Sequence, residues 1–268
     1  MTTISEIDCR RLRLIAELVA VRLGDKLLEA SKKFVGEKRG DFVWSFDIDI
    51  EKKAIELIRL LLPNSIVITE EKGVVRLSDN PKYAVILDPV DGSNNYAHDI
   101  PWFCTCVAIA PIDAQSLDDV VASAIYAPAI SKLFSYSLSD GALVDGKPFQ
   151  RAKPMKIVSA YFDTSSQFAV IERYCELRGG GLKVRSLGSI ALELSYVAWG
   201  KLEGVIDLRK RLRNTDIAAP YPILKSVGAD IVIEKPIPAT EFVQGFEFAA
   251  LYDSELGALY RKARGVAT

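Results

Sequence analysis

Apolar residues recur at helical spacing at the start of the chain: Ile7, Leu12, Ile15, Leu18, Val19, Leu23, Leu27 and Leu28. This periodicity predicts a long amphipathic helix over residues 5–35, broken near Gly24-Asp25. The polar run Glu37-Lys38-Arg39-Gly40-Asp41 has no period and reads either as a solvated connector or as a mobile loop beside a site. A second helix is expected from Ile50 to Leu62, stopped by Pro63. Short β-branched runs then predict strands at 65–69, 83–87, 102–111, 120–126 and 133–138. Two Asp-Gly turns, at 140–141 and 145–146, bracket a further strand at 142–144.

Past residue 152 the period switches repeatedly between two and 3.6. Strands are expected at 157–162, 181–184, 204–207, 231–234 and 246–250. Helices are expected at 167–177, from about 186 to Trp199, from 216 to 226 with Gly228 behind it, and at 256–264. The alternation predicts an α/β layered sandwich in two lobes, 1–151 and 152–268, with a site in the cleft between them.

Composition changes this picture little. Hydrophobic residues make up 49% and charged residues 26% of 268 residues, as in an ordinary globular protein. A formal net charge of −1 argues against nucleic-acid or membrane partners. No apolar run approaches the ~20 residues of a membrane span, and the start lacks a signal-peptide pattern, so a cytoplasmic protein is expected. Cys9, Cys104, Cys106 and Cys175 lack zinc-site spacing. Cys104 and Cys106 should face one side of a strand as small apolar groups. With His98 the single histidine, any catalytic metal must be a hard, oxygen-bound cation.

The candidate chemistry begins at Asp88-Pro89-Val90-Asp91-Gly92-Ser93, directly after the apolar run 83–87. Two carboxylates and the Val90 carbonyl at one strand end can share a small volume, as Mg²⁺ requires. An ordinary surface turn would use the same residue types. Glu70-Glu71 ends another short strand, and Asp49 and Asp216 each precede or open a helix, where an N-cap is the plainer reading. Asp47 competes with Asp49, lying two residues away on the same face if this stretch is extended.

Asp88-Pro-Val-Asp-Gly-Ser-x-Asn95 resembles the signature of the inositol monophosphatase family. Three more segments match in the family's order. These are Ser45-x-x-x-Asp49, Glu70-Glu71 with Thr69 where Gly is usual, and Asp216-x-Ala-Ala with Thr215 where Trp is common. The resemblance implies an αβαβα sandwich of the sugar phosphatase type and a phosphomonoesterase using two or three Mg²⁺, with Mn²⁺ as a substitute. Glu70, Asp88 and the Val90 carbonyl would hold one cation, and Asp88, Asp91 and Asp216 a second; a weaker third would lie near Glu70. Asp49 and Ser93 would polarise the attacking water, and the amides of Gly92 and Ser93 would bind phosphate. Ser93 keeps the hydroxyl of the family's usual Thr.

Arg185-Ser-Leu-Gly-Ser189 is similar to the family's substrate-contacting helix start. Asp207-x-Arg209-x-x-Leu-Arg213-x-x-Asp216 resembles archaeal members that hydrolyse inositol monophosphate and fructose 1,6-bisphosphate. Arg185, Arg209 and Arg213 are then candidates for a second substrate phosphate, which suits a bidentate guanidinium. Alternatives are a 3′-phosphoadenosine 5′-phosphate phosphatase or a non-catalytic regulatory protein of the same fold. The resemblance also implies a homodimer with a small phosphate ester as partner.

Overall fold

A computed structural model describes residues 6–38 and 41–265. Its helices are α1 (Glu6–Leu28), α2 (Ser45–Leu61), α3 (Ser93–Ala97), α4 (Ser165–Leu177), α5 (Ile190–Ala198), α6 (Asn214–Ala218), α7 (Pro220–Ser226) and α8 (Ser254–Arg264). The first strands are β1 (Phe34–Lys38), β2 (Asp41–Trp44), β3 (Ser65–Thr69), β4 (Gly73–Arg76), β5 (Tyr83–Asp91), β6 (Cys104–Pro111), β7 (Ala122–Ala127) and β8 (Lys132–Ser137). The rest are β9 (Gly141–Val144), β10 (Lys147–Pro148), β11 (Ile157–Tyr161), β12 (Lys183–Arg185), β13 (Gly204–Arg213), β14 (Asp230–Val232) and β15 (Gln244–Leu251).

Strand alternation sets the layers. In β5, Val85 and Leu87 pack with Leu12, Val19 and Leu23 of α1 and with Phe46 and Ile58 of α2. Ala84 and Ile86, one residue out of step, face the opposite core with Ala191 and Leu194 of α5 and Ala218 of α6. That second core continues to Val205 of β13 and Ala250 of β15. Their neighbours Ile206 and Leu251 point away, toward Ile171 and Tyr174 of α4 and Leu256 of α8. Successive side chains on a strand must take opposite faces, so five layers follow: helices, sheet, helices, sheet, helices. This is the αβαβα sandwich that the resemblance implies. The large sheet runs β10-β9-β8-β7-β6-β5-β3-β4 and the small one β12-β11-β13-β15-β14, with a two-stranded β1-β2 ribbon apart.

Several elements depart from the sequence expectation. Helix α1 is not broken at Gly24, and it ends at Leu28, leaving 34–38 to a strand. Gly24 is there for close approach: a Cβ would lie 2.5 Å from a ring carbon of Tyr126. The expected connector at 37–41 is partly a hairpin pairing β1 with β2, while Arg39 and Gly40 lie outside the described residues. Helix α2 starts five residues early, at Ser45 rather than Ile50. Strand β13 runs on through the basic stretch to Arg213, with a register shift after Asp207 and Lys210 at φ 58°. Among the described residues no helix is long and apolar enough to cross a membrane.

Candidate active site

Strands β3 and β5 lie side by side and parallel, so both finish at one edge of the large sheet. Glu70 stands just past β3, and Asp88 and Asp91 close β5. The pairing of β5 with β6 shifts register between these two aspartates. Such a bulge bends the strand and re-aims its side chains. From the other sheet, β13 ends at Arg213 and α6 begins at once, with Asp216 in its first turn. All four acids line one cleft of about 300 Å³, together with Val90, Gly92 and Ser93. Arg209 and Arg213 line the same cleft.

Gly92 holds the turn between β5 and α3 at φ 87°, a left-handed conformation. A Cβ there would meet the backbone oxygens of Gly188 and Trp102 at 3.1 Å, so only glycine fits. Asn95, the last residue of the signature, donates from Nδ2 to the carbonyls of Trp102 and Leu187, each at 2.7 Å. The signature loop is thereby tied to the start of α5.

Asp91 shows how its carboxylate survives burial. Its Oδ2 accepts from Ser189 Oγ at 2.5 Å and from the Ala191 amide at 2.9 Å; Oδ1 accepts from the Ile190 amide at 3.2 Å. These are the first amides of α5, where the helix favours negative charge. Asp88 Oδ1 accepts from the Val90 amide at 3.0 Å. Asp216 Oδ2 accepts from the Arg213 amide at 2.9 Å. Burial nevertheless holds Asp88 well above the usual carboxylate range, reinforced by Asp91, Asp216 and Glu70. Burial also raises Asp91, against the hydrogen bonds from Ser189 and Ala191. Asp216 is pushed up by burial to about 7, with the Arg213 charge opposing.

Buried carboxylates that repel one another are a donor set for a hard divalent cation, whose charge removes the conflict. They are not closed into a finished cage: among the described residues no three or more His, Cys, Asp or Glu form a metal-holding group. Glu70 Oε1 is instead paired with Arg213 Nη2 at 2.7 Å.

Four expected site residues are placed elsewhere. Asp49 is exposed and does not line the cleft; Asp47, at the third position of α2, does. Asp47 Oδ2 accepts from the Trp44 amide at 2.9 Å, and burial pushes this carboxyl up to about 7. Starting α2 at Ser45 rotates Asp49 away, because two residues along a helix turn about 200°. Ser189 is fully buried behind Asp91 and supports it rather than facing the cleft. Asp207 is fully buried too, gripping Arg209 Nη2 at 2.6 Å. Arg185 is exposed on the edge strand β12, donating to the Val184 carbonyl, away from the cleft.

Sequence reasoning missed Tyr161 and Arg211, which both line the cleft. Arg211 pairs with Asp163 at 2.8 Å, and its place in the basic run was a usable signal. Tyr161 had none. Its ring lies 4.3 Å under the Arg209 guanidinium, and its hydroxyl donates to Glu193 Oε1 at 2.6 Å.

The family model for the inositol monophosphatase family matches residues 1–257. A fructose-1,6-bisphosphatase of Pyrococcus furiosus is 36% identical over 164 residues, 61% of this chain and 59% of that protein. A fructose-1,6-bisphosphatase/inositol-1-monophosphatase of Methanothermobacter thermautotrophicus is 27% identical over 81% of this chain and 84% of its own. Among solved structures, a hypothetical Pyrococcus horikoshii protein described as similar to inositol-1 monophosphatase superposes with a TM-score of 0.77. It is 26% identical, covering 97% of this chain and 99% of that one. The chain belongs to the inositol monophosphatase family.

Proposed function

We propose that this protein is a Mg²⁺-dependent phosphomonoesterase acting on inositol monophosphate, fructose 1,6-bisphosphate or both. The observation that carries the reading is one cleft lined both by Glu70, Asp88, Asp91 and Asp216 and by the arginines of β13. The substrate names come from the relatives above. When bound, Mg²⁺ supplies activation of the attacking water and charge neutralisation at the leaving oxygen. Glu70, Asp88 and the Val90 carbonyl are the ligands for one cation, and Asp88, Asp91 and Asp216 for another. A third, weaker cation belongs near Glu70.

The chain's own residues do the rest. Asp47 replaces Asp49 as the partner of Ser93 beside the water. Its Oδ1, the oxygen not used by the Trp44 amide, takes the water's proton. Gly92 and Ser93 present their amides to the phosphate where α3 begins, before the helix can use them. Asp207 and the Tyr161 ring hold Arg209 in one orientation, ready for a second anionic group on the substrate. We read the enzyme as a cytoplasmic homodimer; its four free thiols fit a reducing compartment.

The test is phosphate release with Mg²⁺ from inositol 1-phosphate, fructose 1,6-bisphosphate and 3′-phosphoadenosine 5′-phosphate. Turnover of either of the first two is expected, and Asp216→Asn should lower it about a hundredfold or more while the fold persists. No release from the first two esters would overturn the substrate assignment. Turnover confined to the nucleotide would replace it with the nucleotide phosphatase reading.

A further inference from the structure

We propose that Arg213 is a resident counter-ion of the acidic cleft: it pairs with Glu70 until a divalent cation displaces it from that carboxylate. The inference rests on the proposed role of Glu70 as a cation ligand and adds what that carboxylate does beforehand.

The pair joins the two sheets. Glu70 follows β3 of the large sheet and Arg213 ends β13 of the small one, yet Nη2 and Oε1 are 2.7 Å apart. The main chain of Arg213 is pinned, because its amide donates to Asp216 Oδ2. Its guanidinium sits at the end of a long stem and can leave Glu70 without disturbing that bond. The side chain is 19% exposed and that of Glu70 33%, so water screens the pair and holds it only weakly. A divalent cation in reach of several carboxylates attracts Glu70 more strongly than one partly solvated guanidinium does.

The other two arginines provide the contrast. Arg209 is held by Asp207 and Arg211 by Asp163, acids that lie outside the proposed cation set. Arg213 reaches an acid that the cation needs.

Calorimetric titration of Mn²⁺ into the metal-free full-length protein tests the inference. Arg213→Gln should tighten Mn²⁺ binding about fivefold, the size of a partly exposed ion pair. Arg209→Gln removes the same charge from the same cleft but from a different partner, and should change affinity less than about twofold. Unchanged or weaker binding by Arg213→Gln, or equal tightening by both variants, would overturn the inference. If Arg213→Gln does not fold, Arg213→Met, which keeps much of the apolar stem but not the charge, is read by the same two outcomes. Wild-type protein that takes up no Mn²⁺ would sink the proposed function, and this inference with it.

Discussion

Glu193 is the residue whose burial has the clearest cost. It is fully buried in α5, and its Oε1 accepts from Tyr161 Oη and from the Leu187 amide at 2.9 Å. Burial pushes its carboxyl up from an ordinary 4.5 to about 7. A carboxyl raised in the folded state favours folding while protonated, so stability is fully present below about 4.5 and declines as pH rises through about 7. A shift of this size corresponds to roughly 3 kcal/mol at most. Glu193→Gln keeps the two acceptor bonds and cannot ionise. Melting temperatures from pH 5 to 8 should therefore fall less in the variant than in wild type, and parallel curves would refute this account. At this scale the sequence was legible where residue type is itself the chemistry, as in Asp88, Asp91 and Asp216. It was not legible for Glu193 or Tyr161, because nothing near them in the chain announces a buried partner.

Among the elements, Arg151 does work that no helix could do for itself. Its guanidinium donates to the carbonyls of Ala198 at 3.0 Å, Val227 at 2.6 Å and Tyr252 at 2.7 Å, and stacks 3.9 Å from the Tyr252 ring. Ala198 ends α5 and Val227 follows α7, so one cation satisfies two helix ends whose last carbonyls lack partners. Arg151→Met keeps much of the stem but leaves those carbonyls unmet. A loss of about 3 kcal/mol is expected from denaturant unfolding, and a loss under about 1 kcal/mol would show the contacts to be incidental. Element types came readily from periodicity, since β3, β5, β6 and α8 sit close to where the apolar pattern puts them. Boundaries did not. The Ser45 start of α2 depends on Asp47 accepting the Trp44 amide, and that early start exchanged Asp49 for Asp47 at the cleft.

On the scale of the whole molecule, one apolar core runs through both sheets, from Ile66 and Ile86 through α5 to Val205 and Phe248. The proposed division at 151/152 therefore marks a change of sheet, and neither part can bury its inner face alone. A fragment of residues 1–151 should show no cooperative thermal transition, whereas the full chain should melt in one. An independent melt of the fragment would refute this. The sequence by itself determined the alternation of helix and strand, the identity of the acids and the motif order that carries the family, because these depend on local period and residue chemistry. Only the tertiary structure decided which carboxylates share a cleft, that Ser189 and Asp207 stand behind it, and that Arg213 crosses from one sheet to Glu70 on the other. Those facts depend on strand order and on where each strand stops, which residues distant in the chain set jointly.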